Sequence, residues 1–224
     1  GLHNFNDALD YKLSFEANLR IHDNLDAGKI FAHLKRAGFS GVIIGLESGN
    51  EKVRSEILNR RYSNDNVRRV ASEARRYGIR LGVFNLIGLP GESYADFQDT
   101  LRLNQELQPD WHATSIFFPY KGTKLYEMAK ARDVLPEKLD FKNERQHAVL
   151  NLPDFPPKQV QREFDRFHFN LYKKRKNKSP LKYLLFAVQV IAGHNFMANA
   201  KNRLTLILYR LGIKHSLVKI IQKS

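Results

Sequence analysis

The sequence predicts an α/β fold of parallel strands joined by crossover helices, followed by a mainly helical, basic extension. Three observations carry this. Through residue 135, short apolar runs of strand type alternate with amphipathic stretches of helical period. Two segments echo each other: LKRAGFSGVIIGLESG (34–49) and ARRYGIRLGVFNLIGLPGE (74–92). Each runs from a helix end through a basic residue and a glycine into an apolar strand, then into a Gly-rich mouth with a glutamate. Finally, the charge is split: residues 1–140 carry 20 Lys and Arg against 19 Asp and Glu, whereas 141–224 carry 17 against 4. Repeated strand–helix units imply parallel strands with right-handed crossovers. The functional ends of such strands are their C-terminal ends, in an open sheet and a barrel alike.

Taken in order, 11–21 (YKLSFEANLRI) is the first strand candidate. Asp26 caps a helix carrying Ile30, Leu34 and Ala37, with Gly38 just past its end. GVIIGLE (41–47) is a short apolar strand of the fully buried kind. A short helix ends before Arg60, and a longer one after Ser63 runs through Val67, Val70, Ala71 and Ala74 to Gly78. The strand 80–88 follows. Ser93 and Asp96 form a capping pair for a helix through Phe97, Leu101 and Leu107, closed by Pro109. ATSIFFPY (113–120) is the last strand. From 136 the pattern becomes irregular and proline-rich, then helical over 158–175, 180–193 and 202–222. The expected division is therefore 1–135 and 136–224.

With 224 residues, 42% hydrophobic and 27% charged, the chain can bury a substantial core. It contains no cysteine, which excludes disulfides, a thiol nucleophile and a thiolate metal site within it. The start GLHNFNDALDYK has neither a basic leader nor an apolar core, and it lacks Met, which suggests a fragment or processed product. Neither tail stretch approaches the roughly 20 uninterrupted apolar residues that span a bilayer.

The turn IGLPGE (87–92) is the sharpest local feature. It lacks the lysine of a P-loop and does not spell GxGxxG. Its glycines either let a flat group approach the backbone or serve only a tight turn with positive φ. In GLESGN (45–50), Glu47 and Ser48 stand at the end of the neighbouring strand. A carboxylate there accepts hydrogen bonds from an amine or from ribose hydroxyls, or is an acid favourable to a helix start. Arg60 and Arg61 are either ligands for a substrate carboxylate or solvated arginines.

The order and spacing of these elements resemble the later part of the radical S-adenosylmethionine (SAM) enzyme core, over residues 11–135. The matching elements are Arg20 near the end of an early strand, GLESG, Arg61–Ser63, IGLPGE, and the closing P-x-GT-x-LY from Pro119 to Tyr126. Similarity is greatest to the subgroup that often carries a cobalamin-binding domain upstream. The resemblance implies about four βα units from the C-terminal portion of a partial (βα)6 TIM-like barrel, with SAM across the strand ends. On that basis Glu47 and Ser48 hold the ribose or methionine part of SAM, and Arg60 or Arg61 meets its carboxylate. Ile87, Gly88 and Leu89 lie along the adenine, while Gly91 and Glu92 chiefly shape the turn. Arg20 and Pro119 belong to the same set of matched positions. Two departures stand out. The family's CxxxCxxC loop, whose thiolates hold the [4Fe–4S] cluster, has no counterpart, and Lys121 replaces the proline more usual before GT.

The expected role is thus a piece of a radical SAM enzyme, with cluster ligands outside the chain, a reductant protein as electron source, and cobalamin as an additional cofactor of the full-length protein. The basic tail reads first as solvated surface. Peripheral contact of 173–222 with anionic lipid suits a small-molecule or lipid-like substrate and a cytoplasmic protein touching the inner membrane face. KKRKNK (173–178) could meet RNA phosphates, but the chain shows no RNA-binding signature. The competing class is a non-catalytic half-barrel used as an interaction module.

Overall fold

The computed structural model describes residues 2–141 and 144–172. Four strands, β1 (Phe15–Leu19), β2 (Phe39–Glu47), β3 (Arg80–Ile87) and β4 (Trp111–Ile116), form one parallel sheet in the order β1-β2-β3-β4. Among the described residues six helices accompany them: α1 (Leu2–Asp7), α2 (Ala27–Arg36), α3 (Asn64–Arg76), α4 (Tyr94–Leu107), α5 (Lys124–Ala131) and α6 (Pro157–Tyr172). A π-helical turn, Val53–Ile57, stands between β2 and α3.

Strand order equals chain order, so the sheet winds in one direction with no switch point. Right-handed crossovers then put α2, α3 and α4 on one face of it. Alternation along the strands sends Val42, Ile44, Leu46, Leu81 and Val83 into that face, where they pack with Phe31, Val67, Val70 and Ala74. The opposite face carries Ile43, Gly45, Phe84 and Leu86. This is the winding of a barrel, whose strand ends form a single rim.

The expected caps are in place. Asp26 accepts from Lys29 N–H at 3.0 Å, and Ser63 and Ser93 each close a reciprocal capping box, with Asn66 and Asp96. β4 starts at Trp111, earlier than its apolar residues suggest, and stops at Ile116. Phe117 still donates to Ile87, but Pro119 has no N–H to extend the ladder. Helix α5 is not evident from apolar period; Thr123 starts it, accepting from Tyr126 N–H at 3.2 Å.

Helix α6 lies against β4 and α4. Its Val160, Phe167 and Leu171 share a second apolar cluster with Ile87, Leu89, Phe97, Ile116 and Phe155. Compactness therefore groups residues through Tyr172 with the sheet, although the charge composition changes near 140. The basic run 173–178 and the helices expected at 180–193 and 202–222 lie outside the described residues. No helix among the described residues is long and apolar enough to cross a membrane.

Candidate functional site at the strand ends

The β2–β3 register breaks at the rim: Gly45 pairs with Phe84, and the next pair is Glu47 with Asn85. Leu46 is thus the extra residue of a β-bulge, a device that re-aims the side chain beside it. Leu46 stays fully buried, while Glu47 takes a φ of 61°. The Glu47 carboxylate folds back over Gly45. A Cβ at Gly45 would lie 2.7 Å from Glu47 Oε1 and 3.2 Å from Arg60 Nη1. Arg60 Nη2 stands 3.2 Å from the same Oε1, and Arg60 Nη1 donates to the Gly45 carbonyl at 3.3 Å. Burial pushes the Glu47 carboxyl above its ordinary value, opposed by the charges of Arg60 and Arg145. The result is a half-buried pair of opposite charges at the end of a central strand, over a position without a side chain.

The other expected site residues fall into different surroundings. Ser48 is fully buried, its hydroxyl 3.3 Å from Thr100 Oγ1 and accepting from Asn50 N–H at 3.2 Å. Its neighbour Gly49 donates to Thr100 at 2.8 Å. Ser48 thereby fastens the strand end to α4, whereas Glu47 faces Arg60. Arg61 is exposed, and Arg20 is exposed one residue past β1. Pro119 is buried beside Tyr120, whose hydroxyl donates to Glu144 at 2.8 Å.

In the IGLPGE turn, Ile87 and Leu89 are fully buried in the α6-side cluster. Gly88 has a φ of 74°, a conformation that favours glycine, and a Cβ there would crowd Val160 Cγ1 at 3.1 Å. Glu92 turns back under the loop, its Oε2 accepting from Gly88 N–H at 2.6 Å and Leu89 N–H at 3.1 Å. Burial pushes its carboxyl up to about 8, partly offset by those two backbone bonds. The glutamate closes the turn, as its place next to a helix start suggests.

Three contributors escape sequence reasoning. Gly45 matters only because the bulge folds Glu47 over it. Arg145 reaches the rim from beyond α5, its carbonyl accepting from Ile116 N–H at 2.8 Å. Arg54, in the π-helical turn, is fully buried behind the Glu47 loop; no periodicity marks it. The residues do not suit a cluster. The chain has no cysteine, and among the described residues no group of three or more His, Asp or Glu could hold a metal ion.

Residues 6–103 match the model of the Radical SAM superfamily. The chain is 25% identical over 161 residues to an uncharacterized methyltransferase of Pyrococcus horikoshii, covering 71% of this chain and 34% of that protein. It is 32% identical over 89 residues to a tRNA-2-methylthio-N(6)-dimethylallyladenosine synthase of Moorella thermoacetica, covering 39% and 20%. Among solved structures it resembles coproporphyrinogen III oxidase from Escherichia coli, a radical SAM enzyme, with a TM-score of 0.52 at 17% identity. That alignment covers 70% of this chain and 32% of the other, and supports the barrel-type fold. The chain spans about a third or less of each of these proteins.

Proposed function

We propose that this chain supplies SAM-binding strand ends to a radical SAM enzyme, a reading supported by the match of residues 6–103 to the model of the Radical SAM superfamily. The observation that carries the reading is the Glu47–Arg60 pair over Gly45. SAM presents an amino group and ribose hydroxyls, which donate to a carboxylate, and a carboxylate, which a guanidinium meets. Two opposite charges over a side-chain-free position suit that ligand. Glu47 would hold the ribose or amine, Arg60 the carboxylate, and the IGLPGE turn would offer its backbone to the adenine. Ser48 would act by fixing the strand end to α4. SAM together with a [4Fe–4S] cluster would supply radical chemistry. The cluster's ligands would come from the rest of the full-length protein, and an upstream domain would add any cobalamin.

The substrate is a separate question. The excess of 17 basic over 4 acidic residues in 141–224 favours an anionic partner. A lipid-like molecule at an anionic membrane face is one such partner. The Moorella relative, named for a tRNA modification, favours RNA instead.

In the full-length protein, Glu47→Ala and Arg60→Ala should each weaken SAM binding by about tenfold or more, read by equilibrium dialysis, with the melting transition preserved. Unchanged affinity in both variants removes the assignment.

A further inference from the structure

The π-helical turn Val53–Ile57 lies between the strand end that bears Glu47 and the segment that bears Arg60, and its Arg54 is fully buried. Burying a guanidinium is strongly unfavourable unless its donors are met. Here Nη1 and Nη2 find mostly neutral acceptors, while the buried Nε has no hydrogen-bond partner among the described residues. Arg54 Nη1 donates to the Ser48 carbonyl at 2.6 Å. Nη2 donates to the Tyr62 carbonyl at 3.1 Å and to Asn64 Oδ1 at 2.7 Å. The guanidinium carbon also stands 4.7 Å from the centre of the Tyr62 ring. Among the described residues, the one carboxylate within ion-pair reach, Glu51, lies 4.0 Å away with more than half of its side chain exposed.

Those acceptors belong to three separate pieces: the exit of β2, the step after Arg60, and the first turn of α3. Tyr62 completes the ring from the other side, its hydroxyl donating to the Gly45 and Leu46 carbonyls at 2.9 and 3.2 Å. The residues flanking Glu47 and those following Arg60 are therefore joined twice, by one guanidinium and one phenol. The joint sits where it is needed, because the β2–β3 ladder ends at Glu47. An apolar side chain of similar length could fill the same space, but it would leave three acceptors without a donor.

We infer that Arg54 is a positioning residue: its buried guanidinium ties the strand end bearing Glu47 to the segment bearing Arg60, and so sets the spacing of that charge pair. Its effect on ligand binding rests on the reading of Glu47 and Arg60 as SAM ligands; the mechanical joint does not.

The test uses the full-length protein with Arg54→Met and Arg54→Lys, and reads two quantities. Hydrogen exchange by mass spectrometry reports peptides covering 45–49 and 60–64. Equilibrium dialysis reports SAM affinity, alone and with Arg60→Ala added. Arg54→Met should speed exchange about tenfold in both segments together, leaving β3 unchanged. It should also raise the Kd for SAM about tenfold, with little further loss on adding Arg60→Ala, since residues acting through one contact are non-additive. Arg54→Lys should lie between, as one ammonium reaches fewer acceptors. Leu107→Ala, a core change at the far end of α4, controls for lost stability and should leave the Kd unchanged. Exchange that changes in neither segment or in only one overturns the inference, as do fully additive effects on Kd. Coupled exchange with SAM affinity indifferent to Glu47→Ala and Arg60→Ala would uphold the joint and sink the SAM reading instead. Should Arg54→Met fail to fold, the Lys variant carries the same comparison.

Discussion

A missing side chain governs the rim at the scale of single residues. Gly45→Ala would put a methyl 2.7 Å from Glu47 Oε1, so the carboxylate must leave its place over the strand. SAM affinity of the full-length protein should fall while thermal stability changes little, because Gly45 is only half-buried and its backbone is ordinary strand. Glu92 makes a different prediction, about pH. Its carboxyl is raised from 4.5 to about 8 by burial, so the fold favours the neutral form. The associated stability is fully present below about 4.5, declines as pH rises, and is gone once pH passes about 8. The slope in that window is about 1.4 kcal/mol per pH unit. Urea denaturation across pH 5–8 should show this decline in the native sequence, and Glu92→Gln should flatten it. Glu47 and Glu92 are both legible in the sequence as acids at strand mouths. Their opposite circumstances are not: one folds back beside Arg60, the other under its own turn.

Individual elements owe their docking to polar residues as much as to apolar ones. On α4, Thr100 and Asn104 are fully buried, in helical phase with Phe97, Leu101 and Leu107. Thr100 accepts from Gly49 N–H, and Asn104 exchanges hydrogen bonds with Asn85 on β3, the shorter at 2.8 Å. Thr100→Val keeps the shape and leaves the Gly49 donor buried without a partner, which should cost about 1–3 kcal/mol. Chemical denaturation checks this, and Thr100→Ser, which retains the oxygen, should recover most of the loss. The phase of these residues is visible in the sequence. Their partners, 51 and 19 positions away, are not.

For the molecule as a whole, α6 belongs with the sheet although it follows a change of composition. Phe167 is almost fully buried, with its ring 6.1 Å from that of Phe97 and 5.2 Å from that of His112. Phe167→Ala should destabilise the unit by about 3–5 kcal/mol, read as a lower denaturation midpoint with an unchanged slope. Local chemistry explains what the sequence determined unaided: the parallel strand–helix alternation and the caps at Asp26, Ser63 and Ser93. Periodicity, capping and turn residues act over a few positions, and a motif is a run of neighbours. Only the tertiary structure decided that a bulge turns Glu47 onto Gly45, that Ser48 faces α4, and that Arg54 and Arg145 join the rim. It alone seated α6 beside α4. Each of those facts depends on which distant segment is adjacent in space, and packing sets that adjacency.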